Sequence, residues 1–185
     1  SQGARVAASA RSTAKLDAVV ASAPGAVAIP ADVRDDASVR RLVDDAVAAL
    51  EGLDAVIYTA AVSPLLPMAD ARSADWREVL ATNVVGCALL AAAAAPHLID
   101  SMGSLVVLSS KAVRQPFADL GLYSTSKVAL DGLIRCLPIE FPGLRVTRVM
   151  VGNTHSTAFA DSWDPVVLDT SMHKWIAQGV LGSGE

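Results

Sequence analysis

Ser104-Leu105-Val106-Val107-Leu108-Ser109-Ser110, followed thirteen positions after Ser110 by Tyr123-Ser124-Thr125-Ser126-Lys127, is the stretch from which the fold can be read. Its apolar part does not alternate with polar residues, as a strand with one wet face would. It is continuous, which marks a strand covered by helices on both faces and hence a parallel one. The candidate strand runs over 104–109, and further candidates run over 5–10, 26–30, 54–59 and 145–151. Between them Val39, Leu42, Val43, Ala46, Val47 and Leu50 recur at helical spacing and form a single apolar stripe. Helices are also expected over 13–22, 74–95 and 123–138, with Ser73 placed to cap the second of these. This alternation predicts an α/β fold, a doubly wound parallel sheet, formed by residues 1–185 as a single domain.

The composition agrees. A chain of 185 residues can bury a real core, and with 52% hydrophobic but only 4% aromatic residues that core is built from Ala, Val and Leu. The formal net charge is −4, and Arg40-Arg41 is the only adjacent basic pair, so nucleic acid is excluded as an expected partner. The longest strongly apolar run, 88–96, is far shorter than the ~20 residues of a membrane span. Residues 1–20 lack the apolar core of a signal peptide. Cys87 and Cys136 are too few for a disulfide framework, which suits a reducing, cytoplasmic location. His97, His155 and His173 are dispersed and accompanied by neither cysteine at ligand spacing, so no metal site is expected. Neither a G-x-S-x-G elbow nor a G-x-x-x-x-G-K-[ST] loop occurs.

The polar residues that interrupt the pattern cluster by position. Arg11, Asp32, Thr59 and Ser110 stand at or just after the carboxyl ends of candidate strands, and Gly152-Asn153-Thr154 does the same. In open α/β sheets that edge forms the ligand crevice. Tyr123 and Lys127 are four apart at a helix start and therefore share a face. A phenol with a pKa of ~10 is a poor acid or base at neutral pH, and a neighbouring ammonium lowers it at ~1.4 kcal/mol per unit. Lys127 supplies that ammonium. Ser110 is placed to hold a carbonyl or alcohol oxygen by hydrogen bonding while Tyr123 transfers the proton. Asn83 interrupts the apolar stripe of Val79, Leu80, Val84 and Cys87, and a buried amide there needs partners.

With these residues the sequence resembles the short-chain dehydrogenase/reductase family, in which a Ser is followed thirteen positions on by a Tyr and four further by a Lys; Ser110, Tyr123 and Lys127 meet that spacing. The resemblance implies a Rossmann-like fold and hydride transfer between NADP(H) and a carbonyl or secondary alcohol, with Tyr123 as general acid/base. It also implies that Asn83, in Asn83-Val84-Val85-Gly86, organises a water relay to Lys127, and that Ser109 is a structural neighbour. Val6-Ala7-Ala8-Ser9-Ala10-Arg11-Ser12 looks like the family's second strand and turn, where a basic residue receives the 2′-phosphate of NADP. Asp32-Val33 looks like the adenine-contacting pair. Gly152 with Thr157 or Ser156 resembles the segment that closes over the nicotinamide, and residues 153–180, with Phe159, Trp163, Met172 and Trp175, the lid of the substrate pocket.

Three departures accompany the likeness. The family's Asn-Asn-Ala-Gly turn reads Tyr58-Thr59-Ala60-Ala61, so cofactor contact at Thr59, Ala60 and Ala61 is altered by an added methyl. Val151 stands where the family has a Pro. The residues begin just before the second strand, without the first strand and its Gly-rich phosphate loop, and stop before the last strand. A longer protein with both edges is expected, since a sheet without its central strand would expose apolar edges. The resemblance further implies a homodimer or homotetramer built on the helices over 74–95 and 123–138, with a small molecule as substrate. The alternative expectation, motivated by the altered turn, is a non-catalytic or regulatory member that binds cofactor weakly.

Overall fold

Each of the five candidate strands becomes a short strand and each expected helix forms in the computed structural model, which describes residues 3–154 and 158–181. Strand β1 (Ala7–Ala10) leads through α1 (Thr13–Ser22) to β2 (Val27–Pro30), then α2 (Asp36–Leu50) and β3 (Ala55–Tyr58). A long helical stretch follows as α3 (Ser73–Leu80), a single π-turn (Ala81–Val85) and α4 (Gly86–Asp100). Strand β4 (Ser104–Ser110), α5 (Gly121–Glu140), β5 (Arg145–Val151) and α6 (Pro165–Ala177) complete the order. All pairings are parallel, with Ala7 opposite Val27, Ala55 opposite Ser104 and Ser104 opposite Arg145.

The parallel strands expected from the sequence fall into two hydrogen-bonded groups. β1 pairs only with β2, while β3, β4 and β5 form a separate three-stranded sheet. β1 and β3 both line a cleft of about 710 Å³. Both halves still share one core. Helix α2 contributes Val39, Leu42, Val43 and Ala46; α4 contributes Cys87, Leu90, Ala91, Ala94, Ala95 and Leu98; α5 contributes Leu130, Ile134 and Leu137. The small alanines let these helices approach the strands closely, which explains how so few aromatics suffice.

Three local expectations are corrected. Ser73 is the first helical residue of α3, not its cap; the end donor is satisfied by Asp75, whose Oδ2 accepts from Arg72 N at 2.8 Å. The helix expected over 74–95 continues past Pro96 to Asp100, because fully buried Leu98 outweighs the hydrogen bond the proline removes. The helix expected over 123–138 spans Gly121–Glu140 and likewise contains its Pro138. The stretch Ser73–Asp100 is long and apolar enough to cross a bilayer, but its apolar face is half buried in the core just described.

Candidate active site

Ser110 lies where β4 ends. Its Oγ accepts from Ala112 N at 3.1 Å, which starts a short turn and leaves the hydroxyl hydrogen free to donate. Helix α5 carries Tyr123 and Lys127 on its inner face, and both are buried. Burial pushes the Tyr123 phenol up from its ordinary value, and the Ser110 hydroxyl beside it pulls the other way. The Lys127 ammonium donates to Leu108 O at 2.8 Å and stands 5.6 Å from the centre of the Tyr123 ring. Burial brings it down to about 8, against the opposing pull of Cys87 and Asp131. Ser110, Tyr123 and Lys127 therefore meet at one point, as the spacing predicts.

Asn83 is fully buried in the π-turn. Its Nδ2 donates to Val62 O at 2.9 Å and to Ser126 Oγ at 2.8 Å, and its Oδ1 accepts from Val62 N at 2.8 Å. Ser126 in turn donates to Tyr123 O at 2.7 Å. The amide thus ties the loop after β3 to the first turns of α5, one residue from Lys127. A wide π-turn is a frequent marker of function within a helix. Gly86, the last residue of the quoted motif, has a steric reason: a Cβ there would lie 2.6 Å from Tyr58 Oη and 2.9 Å from Val33 Cγ2. Tyr58 fills that space because its hydroxyl donates to Thr82 O.

The cleft between the half-sheets gathers Arg11, Asp32, Val33, Thr59, Ala60 and Ala61 along its walls. Arg11 also borders an adjoining hollow with Ser12 and Lys15. Ser12 itself caps α1, its Oγ accepting from Lys15 N at 3.4 Å. Asp32 is gripped by Arg34 at 2.6 Å, and this hydrogen-bonded pairing holds its carboxyl at about 2. Among the described residues, Ala60 and Ala61 do not take the left-handed conformation that favours glycine, so the backbone tolerates alanine there. Gly152 and Thr154 follow β5, exposed. Ser156 and Thr157 lie outside the described residues.

Beyond β5, Phe159 packs edge-to-face on Tyr123 at 5.1 Å between ring centres and on Trp163 at 5.2 Å. Trp163 Nε1 donates to Ser63 O at 2.6 Å, and Trp175, in α6, donates to Ala118 O at 2.7 Å. Leu65, Leu120, Trp175 and Val180 form a second apolar cluster beneath. Asp119, in the left-handed conformation at φ 61°, receives Ser171 Oγ at 2.8 Å and Lys174 Nζ at 2.6 Å, so α6 is pinned to the loop before α5. The sequence reading missed Asp119 and Asp131. Asp131 was accessible to it, since it lies four residues beyond Lys127 on the same helix face.

The short chain dehydrogenase family model matches residues 1–166. The chain is 36% identical over 136 residues to (-)-trans-carveol dehydrogenase of Rhodococcus erythropolis, covering 71% of this chain and 48% of that protein. It is 35% identical over 136 residues to an uncharacterized NAD-dependent oxidoreductase of Mycobacterium tuberculosis, covering 71% and 50%. The first curated relatives are matched over 37% to 66% of their own length. An alcohol dehydrogenase of Thermococcus sibiricus, solved with 5-hydroxy-NADP, superposes with a TM-score of 0.81 at 21% identity, covering 88% of this chain and 71% of that one. At that identity the likeness speaks for the fold.

Proposed function

The chain belongs to the short-chain dehydrogenase family, and from that premise we propose an oxidoreductase that uses NADP(H) on a carbonyl or secondary alcohol. The observation that carries this reading is the meeting of Ser110, Tyr123 and Lys127 at the carboxyl end of β4. The dinucleotide, when bound, supplies or accepts the hydride. Residues of the cleft fit its adenosine end: Arg11 with Lys15 for a 2′-phosphate, Asp32 and Val33 for the base, and Thr59 to Ala61 along the wall. Ser110 holds the substrate oxygen and Tyr123 gives or takes its proton. Lys127 binds ribose and lends its charge to the phenol. Asn83 keeps the start of α5 in register with the loop after β3.

Residues 153–180 serve as a pocket lid in this reading, with Phe159 against Tyr123. The substrate is a small molecule, and the location is cytoplasmic. The protein forms a homodimer or homotetramer through α4 and α5; exposed Val85, beside α4, and Val128 and Ile139 on α5 support that assembly. Light scattering at micromolar concentration that shows a monomer rejects it. Steady-state turnover of carbonyl substrates with NADPH tests the activity, and its absence across ketones, aldehydes and keto esters together with weak dinucleotide binding favours the non-catalytic or regulatory reading.

A further inference from the structure

Three consecutive residues of β4 engage one face of α5. Leu108 O accepts from Lys127 Nζ at 2.8 Å, Ser109 Oγ donates to Asp131 Oδ1 at 2.6 Å, and Ser110 lies against Tyr123. Tyr123, Lys127 and Asp131 are spaced four apart, so their side chains stack along a single helical stripe. Asp131 is buried, and its second oxygen receives Arg148 Nη1 from β5 at 2.5 Å. Burying a carboxylate is costly unless both oxygens are bonded and its charge is opposed. Here both conditions are met, by Ser109 of β4 and Arg148 of β5, so one carboxylate fastens α5 to two strands at the level of the candidate site.

We propose that Asp131 is a positioning residue that fixes Lys127 against Tyr123 and serves as its counter-charge. The inference rests on reading Tyr123 and Lys127 as the proton-transfer pair. The charged and titratable groups facing Lys127 are Tyr123 and Asp131 from α5, Cys87 from α4 and, through Asp131, Arg148 from β5. Tyr123 is neutral at physiological pH because burial raises it, and burial pushes the Cys87 thiol up to about 12, so it too is neutral. Asp131, one turn beyond Lys127 on the same helical stripe, is the carboxylate beside it, and Arg148 of β5 is bonded to that carboxylate. The two neighbours therefore act on Lys127 in opposite directions.

The test is the titration of the Lys127 13Cε resonance in the intact protein, assigned by its loss in Lys127→Met and followed with and without NADPH. Asp131→Asn should move the Lys127 midpoint down, and Arg148→Met, at a half-exposed site, should move it up. The alkaline limb of kcat/KM should shift in the same two directions, and Asp131→Glu should restore part of the wild-type profile. A Lys127 midpoint unmoved in both variants overturns the proposal. Should Asp131→Asn not fold, Arg148→Met and Ser109→Ala decide alone, the latter lowering kcat more than it raises KM. The resonance is read without turnover, so a failed assay of the proposed activity leaves this test intact.

Discussion

Lys127 lies with its ammonium 5.6 Å from the ring centre of Tyr123 while bonded to the Leu108 carbonyl 2.8 Å away. The ammonium is thus held over the Tyr123 ring by a backbone group of the neighbouring strand, not by helix geometry alone. Tyr123→Phe keeps the ring, its packing on Phe159 and the fold, and deletes only the proton. General acid–base groups contribute about 10²–10⁴-fold. Turnover of a competent ketone should fall by that much with an unchanged thermal midpoint, and activity within a few-fold of wild type would reject the role.

Lys127 also sets a pH dependence of stability. Its folded value of about 8 lies below the unfolded 10.5, so below pH 8 both states carry the proton and the folded state bears the cost of a buried charge. Between 8 and 10.5 the unfolded state binds more protons than the folded one, and stability from this group rises with pH. The gap corresponds to about 3 kcal/mol. Tyr58, Tyr123 and Cys87, all raised by burial, act in the opposite sense at alkaline pH; the two tyrosines are common to wild type and Lys127→Met, and Cys87, which Lys127 pulls down, rises further in the variant. Urea unfolding of the pair, without cofactor, should show the wild type gaining on the variant from pH 8 to 10. A constant difference would show that Lys127 does not titrate in that window.

The strands were legible because parallel strands carry their burial in continuous apolar runs; β5 appears with the bounds the sequence suggests and the other four within a residue or two. The meeting of Ser110, Tyr123 and Lys127 was legible because strand end and helix start fix it. Which strands pair with which was not legible from the runs themselves, since pairing depends on neighbours and not on the periodicity of either partner. Asn83 reads as a polar interruption in a stripe, but its partners, Val62 and Ser126, are distant in sequence and no local pattern names them. Asp119 reads as an ordinary turn acid; only its left-handed backbone and the approach of α6 make it an anchor.

Gly86→Ala tests the packing under the site. The new methyl would press on the buried Tyr58 hydroxyl, which is bonded to Thr82 O, and on Val33, a lining residue of the cleft. Overpacking of this kind costs about 1–3 kcal/mol. Combining it with Tyr58→Phe, which removes the atom that comes within 2.6 Å, should recover part of the loss. Denaturant midpoints of the single and double variants check this, and full additivity of the two costs would mean that the glycine is not held by Tyr58.

The proposed function gives Arg11 the choice between the two dinucleotides. It follows β1, is exposed, and borders both the main cleft and the hollow that contains Lys15. Among the described residues it has no ion-pair partner, whereas the acid at the next strand end, Asp32, is already engaged by Arg34. A 2′-phosphate brings charge that a free guanidinium can bind bidentately. A user of NAD needs instead an acid for the ribose hydroxyls, and Asp17, the next acid in sequence, sits on the second turn of α1. Hydrogen bonds to charged groups contribute about 1.5–3 kcal/mol each, so NADPH should bind at least about tenfold more tightly than NADH. Arg11→Ala should erase most of that ratio through NADPH affinity, leaving NADH nearly unchanged. Calorimetric titration of both dinucleotides into wild type and variant measures it, and equal wild-type affinities or a preference for NADH would assign Arg11 to the solvated surface.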